Sequence, residues 1–216
     1  MTMTENKPIE RLPVNEAFAR PAGPEAIERA AEALKRRGFE VRVADDATQA
    51  REIVLSLVPQ GAEVHQGASV TLQQLGVTEA LEQSGRYDAV RPRMRSMDRS
   101  TQMREIRKLG SAPDVFVSSV HALTEEGQMV IASASGSQLG PIATGAGRVI
   151  LAVGAQKVVP DLTTALKRVD EYSYPIEDVR AQEAYGSHTA IRKLLVVSGD
   201  FPGRTTVVLV REPVGV

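Results

Sequence analysis

Four short stretches of this chain carry side chains able to bind or transform a small molecule. In residues 65–72 (HQGASVTL) a turn begins with His65, and Gly67 lets the backbone approach a ligand. Ser69 and Thr71 can cap a helix or bind an oxygen of a phosphate or carboxylate. A tight turn with a serine cap and nothing bound fits the same residues. In residues 121–130 (HALTEEGQMV), His121 and Thr124 lead to Glu125, Glu126 and the turn glycine Gly127. A carboxylate at a buried strand end becomes a general base or nucleophile when burial raises its pKa, which makes Glu125 the candidate catalytic residue. The plain alternative is a hairpin with a solvated acidic tip. Residues 133–147 (SASGSQLGPIATGAG) are so poor in large side chains that they form a close backbone approach or wrap a ligand, with Gly136, Ser137 and Gln138 as contacts. In residues 154–161 (GAQKVVPD), Lys157 is either a cation for a bound anion or a solvated loop lysine, and Asp161 is a helix-start residue.

Several chemistries are excluded. The chain has no cysteine, which removes disulfides, thiolate metal sites, a cysteine nucleophile and any iron–sulfur cluster in this chain. Histidines at 65, 121 and 188 are too thinly spread for a metal motif, although His65 and His121 both fall at strand ends and could meet in one pocket. Gly145 and Gly147 resemble a dinucleotide fingerprint only superficially, because a third glycine is absent and a strand follows; no glycine precedes Lys-Ser or Lys-Thr as in a Walker A loop. A net charge of -1 and 4% aromatic residues argue against nucleic acid, and the arginines from Arg91 to Arg95 read as a solvated face. A small anionic metabolite or a protein is the expected partner. No apolar run of membrane-spanning length and no secretory leader pattern occurs in the sequence, so no membrane partner and a cytoplasmic location are expected.

The elements that must position these residues follow from periodicity. Residues 1–22 read as an arm broken by Pro8, Pro13 and Pro21; its apolar patch at Val14, Ala17 and Phe18 is a candidate surface for a neighbour or a homodimer. Residues 23–216 read as one α/β domain. Ile27, Ala30, Ala31 and Leu34 make a helix that Gly38 stops, and Phe39, Val41 and Val43 alternate as a strand. Asp45 or Asp46 caps a second helix bearing Ala50, Ile53, Val54 and Leu57. Strands at 62–65 and 87–90, a charged helix over 98–109, and apolar strands at 115–120, 128–133 and 148–154 follow, then a helix with Leu162, Ala165, Leu166 and Val169. Late strands cover 194–197 and 205–210. This alternation predicts an α/β fold with a largely parallel sheet flanked by helices.

The blocks GAEVHQGASVTLQQLG, PDVFVSSVHALTEEGQMV, GRVILAVGAQKVVPDLTTAL and PGRTTVVLVREPVGV resemble, in order and spacing, the lactate-utilization (LUD) domain family over residues 25–216. The resemblance implies a fold like that of the ribose-5-phosphate isomerase, glucosamine-6-phosphate deaminase and coenzyme A transferase superfamily (NagB/RpiA/CoA transferase-like). It also implies an accessory role near L-lactate oxidation, beside iron–sulfur subunits as partners, or an isomerase or acyl/CoA-transferase activity inherited from that superfamily. Glu125 and Gly127 match the family's Glu-Glu-Gly turn. Relatives often carry cysteines before the last strands, where this chain has YGSHTAIRKL. They also often carry an Asp-Gly-Asn-Gly-like stretch, where this chain has Ser135, Gly136, Ser137 and Gln138.

Overall fold

A computed structural model describes residues 9–216; the first eight residues of the expected arm lie outside it. Helix α1 (Pro24–Arg36) starts with proline in its first turn, ends with Lys35 and Arg36 where cations suit the helix dipole, and buries Ile27, Ala30, Ala31 and Leu34. Strand β1 (Glu40–Ala44) precedes α2 (Ala47–Ser56), whose N-cap is Asp46, accepting from the Gln49 N–H at 2.8 Å. Then come β2 (Glu63–Gln66), α3 (Val70–Gln74), α4 (Val77–Gln83), β3 (Asp88–Ala89), α5 (Val90–Ser96) and α6 (Met103–Ser111). The second half comprises β4 (Val115–Ser118), β5 (Ala122–Thr124), β6 (Met129–Ser133), β7 (Arg148–Gly154), β8 (Val158–Val159), α7 (Leu162–Arg168), α8 (Tyr174–Tyr185), β9 (Lys193–Val197) and β10 (Thr205–Val210).

Six strands form an entirely parallel sheet in the order β1-β10-β7-β4-β2-β3, as the alternation of strands and helices predicts. Its central strands are apolar on both faces because both are covered. Val149, Leu151, Val153, Val207 and Leu209 face one core with α1, whereas Ile150, Ala152, Val208 and Val210 face a second core that includes α2, α3 and α4 residues.

The structure departs from the single expected sheet. Strands β5, β6, β8 and β9 leave it to form a second, mixed sheet in the order β8-β5-β6-β9. Its Leu123, Met129, Ile131 and Val158 face the first core, and its Ala122, Val130 and Val159 face a third core with α7. Strands β5, β6 and β8 are buried and the edge strand β9 leaves Leu194 and Val196 exposed, yet all carry the same apolar runs as the parallel strands, so periodicity does not separate the two sheets. The charged helix expected over 98–109 is also shorter. The Asp98 carboxylate accepts from the Ser100 N–H and from the Ser100 and Thr101 hydroxyls, holding a turn that competes with helix until Met103.

Within the described part of the arm, Phe18 packs on the third core of its own chain, Asn15 N–H donates to Glu171 O at 2.8 Å, and Ala22 N–H donates to Ala155 O at 3.1 Å. No helix among the described residues is long and apolar enough to cross a membrane.

Candidate functional site

Strands β2 and β4 are neighbours, but the chain leaves them in opposite directions across the sheet: β2 is followed outward by β3, and β4 is followed through β7 to β10. Such a reversal separates the loops at the carboxyl ends of the two strands, which is where open α/β sheets bind ligands. The seam is built from the residues just beyond those ends. Gly67 N–H donates to Val117 O at 3.0 Å, extending the ladder. A Cβ on Gly67 would lie 2.5 Å from Ser118 Oγ and 3.1 Å from Gln138 Oε1, so glycine is what lets three chain segments meet here. Gln138 is pinned by donating from Nε2 to Ala132 O at 3.0 Å, which brings the small-residue loop to the seam.

One residue further along the chain, Ser119 meets Lys157. The lysine is 2% exposed, and its Nζ is hydrogen-bonded to Thr71 Oγ1 at 2.9 Å and Ser119 Oγ at 3.0 Å and donates to Val120 O at 3.0 Å. Burial, with the Arg168 charge adding to it, pushes the Lys157 ammonium well below the ordinary lysine range. Beside it the segment after β10 closes over Thr71. Gln156 Nε2 donates to Val214 O and Gly215 O at 3.0 and 2.9 Å, Val214 N–H donates back to Gln156 Oε1, and a Cβ on Gly215 would lie 2.0 Å from Thr71 Oγ1.

Arg168, the last residue of α7, is fully buried. Its Nε donates to Gln156 O at 3.1 Å and its Nη1 to His121 O and Ser173 Oγ, while the guanidinium lies over the Tyr172 ring at 4.9 Å. Burial lowers its pKa to about 10. His121 Nδ1 accepts from Ala132 N–H at 3.1 Å, and burial together with the Lys157 and Arg168 charges lowers its pKa to about 3, so the ring is neutral. Among the described residues neither Lys157 nor Arg168 has a carboxylate partner. Two buried basic groups without a counter-charge are a costly arrangement.

Four buried side-chain atoms lack a hydrogen-bond partner among the described residues: His65 Nδ1 and Gln66 Oε1 on β2, Thr78 Oγ1 on α4, and Arg168 Nη2 at the end of α7. Each costs about 1–3 kcal/mol when nothing satisfies it, and the Arg168 atom belongs to a group that also lacks a counter-charge among the described residues. His65 stacks at a tilt on Phe116, 5.4 Å between ring centres, and burial, aided by the Arg91 charge, lowers its pKa to about 4.

Of the residues singled out by sequence, the structure therefore joins Gly67 with Gln138, and Thr71 with Lys157 near His121. Ser69 is the N-cap of α3, accepting from Leu72 N–H at 3.3 Å. The others lie elsewhere. Thr124 Oγ1 accepts from Gln128 N–H at 3.0 Å inside the β5–β6 hairpin, and Glu125 at its tip accepts from Arg29 Nε of α1 at 2.5 Å. Gly127, at φ +84°, packs on the backbone of Ala33 and Leu34, where a Cβ would stand 2.9 Å from both. Arg37 completes the clamp by donating to Glu126 O at 2.6 Å. A shallow surface cavity of about 650 Å³ lies at this α1 clamp and includes Glu125. Gly136 sits against the Lys193 side chain, and Ser137 is exposed, its N–H donating to Ser135 Oγ. Arg91, Arg93 and Arg95 pair with Glu82, Glu63 and Asp88, in keeping with a solvated face. Asp161 caps α7 by accepting from Thr164 N–H at 2.7 Å.

Sequence reading passed over Ser118, Ser119, Gln156 and Arg168. The two serines end an apolar strand, and polar residues interrupting such a run at its carboxyl end are a usable signal. Arg168 lies three residues beyond Ala165 on the buried side of α7, a charged residue on an apolar stripe.

A family model for the LUD domain matches residues 27–210. The fold is similar to the crystal structure of a DUF162 family protein from Deinococcus radiodurans, with 13% sequence identity, a TM-score of 0.54, and coverage of 92% of this chain and 99% of that one. No curated protein matches the chain.

Proposed function

Because the chain belongs to the LUD domain family, and membership supports a lactate-utilization-related protein, we propose that it binds a small anionic metabolite at the carboxyl ends of β2, β4 and β7 as an accessory component of organic-acid utilization. The observation that carries this reading is the pair of buried basic residues, Lys157 and Arg168, with no carboxylate partner among the described residues and with Arg168 Nη2 unsatisfied. A bound carboxylate or phosphate supplies the missing charge and the missing acceptor together. The seam residues Gly67, Ser118 and Gln138 offer polar contacts beside it.

The alternative is an isomerase or acyl transferase with Glu125 as base or nucleophile. It needs that carboxylate free to attack, whereas Glu125 is held by Arg29 at the hairpin tip. That contact favours the binding reading.

Thermal unfolding in the presence of L-lactate, pyruvate, inorganic phosphate, sugar phosphates and coenzyme A tests it. A ligand at a hundred times its Kd adds about 2.7 kcal/mol, roughly 5–10 °C for a chain of this size. The expected result is such a rise with one anion class, abolished in Arg168→Met. No rise with any of these anions overturns the reading.

A further inference from the structure

We propose that Lys157 is an amine nucleophile that forms a reversible imine with a 2-oxo acid whose carboxylate rests on Arg168. This inference depends on the anion-binding reading and adds covalent chemistry to it. The juxtaposition that suggests it is local. Lys157 donates to Val120 O and Arg168 to His121 O, the next carbonyl along one strand exit, while Arg168 also takes the carbonyl of Gln156, the residue before Lys157. The two basic groups are thus anchored on neighbouring carbonyls of the same two backbone segments, close enough for the Arg168 charge to act on Lys157, one ending in an amine and the other in a guanidinium whose Nη2 has no partner among the described residues.

The surroundings suit a neutral amine. Such a group has two N–H donors and one lone pair. Val120 O must receive one N–H. Of the hydroxyls of Thr71 and Ser119, one receives the other N–H and its neighbour donates to the lone pair. No carboxylate stands by to fix the ammonium form, and burial beside Arg168 favours the amine as well.

The reaction balances with these groups alone. The Nζ lone pair forms a bond to the carbonyl carbon, and the π electrons of the C–O bond move to oxygen. That oxygen takes one amine proton through the Ser119 or Thr71 hydroxyl. Loss of the second amine proton and cleavage of the C–O bond release the oxygen as water and leave a C=N bond, with no oxidant or reductant. Access requires the segment at Val214 and Gly215 to move, because it abuts Thr71 and is held by Gln156.

The folded protein is incubated with pyruvate and cyanoborohydride, which traps an imine as a stable secondary amine, and peptides are mapped by mass spectrometry. The expected result is a pyruvate adduct on Lys157 at least about tenfold above that on exposed lysines such as Lys35. Gln156→Ala, which loosens the covering segment, should speed it. Acetone, which has the methyl ketone without the carboxylate, should label Lys157 more slowly, and Arg168→Met should narrow that difference. A thermal rise with L-lactate or pyruvate but no adduct on Lys157 overturns the imine and leaves anion binding standing. Labelling of Lys157 no faster than of Lys35 also overturns it. Neither a thermal rise nor an adduct removes both readings.

Discussion

Lys157 Nζ lies 2.9 Å from Thr71 Oγ1, tying the turn after β7 to helix α3 across the carboxyl ends of the parallel sheet. The lysine gives this junction a titration of its own. Its pKa is lowered on folding, so in the interval between the lowered value and the ordinary one near 10.5 the unfolded chain binds more protons than the folded chain. Stability contributed here rises with pH across that interval, by at most about 1.4 kcal/mol per pH unit for one group. Urea titrations at pH values below about 10.5 should show the wild type gaining on Lys157→Met as pH rises. Parallel pH profiles for the two proteins would remove the argument.

The Glu-Glu-Gly turn is a structural clamp on α1, and its two family-matched residues should behave differently. Gly127→Ala puts a Cβ against the backbone of Ala33 and Leu34 at a positive φ, so it should cost roughly 2–4 kcal/mol in urea unfolding. Glu125→Gln removes an ion pair whose Arg29 partner is largely exposed, and should lower the melting temperature only slightly and less at high salt. It should leave any anion-induced stabilisation intact. Loss of that stabilisation in Glu125→Gln would return the carboxylate to the site.

Much of this architecture is legible in the sequence because it rests on local chemistry. The stripe on α1, the Asp46 and Asp161 caps and the unbroken apolar run of β7 each follow from spacing or residue type. The site is less legible because its geometry is set by distant segments meeting. Nothing near Lys157 in sequence reveals that Thr71 and Ser119 complete its bonds, or that Gln156 holds Val214. Glu125 drew attention as a carboxylate at a strand end, but that end belongs to a hairpin of the second sheet, whose tip is bound by α1. Separating the sheets requires knowing which apolar runs pair, which composition does not encode.

The start of the described arm, at Glu10, should loosen as pH rises. His188 Nδ1 is 2.8 Å from Asp178 Oδ2, with Glu10 3.5 Å from its other nitrogen, while Glu10 also exchanges backbone hydrogen bonds with the Gln182 side chain. The Asp178 hydrogen bond and charge raise the His188 pKa, so this contribution is fully present below the ordinary histidine value near 6.5 and is lost as pH rises through the raised folded value. Amide exchange at Glu10 and Arg11, corrected for its intrinsic pH dependence, should accelerate across that window in the wild type and be already fast in His188→Gln. Equal protection at both ends of the window would show that the histidine does not hold the arm.

Gly67 is the position where stability and binding should separate. Alanine there meets Ser118 Oγ and Gln138 Oε1, both ends of side chains that can rotate away, so the fold should survive with a loss of about 1–2 kcal/mol. The displaced groups would crowd the seam, and the thermal rise with an anionic ligand should shrink or vanish. Because Ser118 Oγ is the closer obstacle, Ser118→Ala should recover part of the stability lost in Gly67→Ala, giving a coupling of about 0.5–1 kcal/mol in a double-mutant cycle. A Gly67→Ala protein that keeps its full anion-induced rise would place the ligand away from the β2–β4 seam and confine it to Lys157 and Arg168.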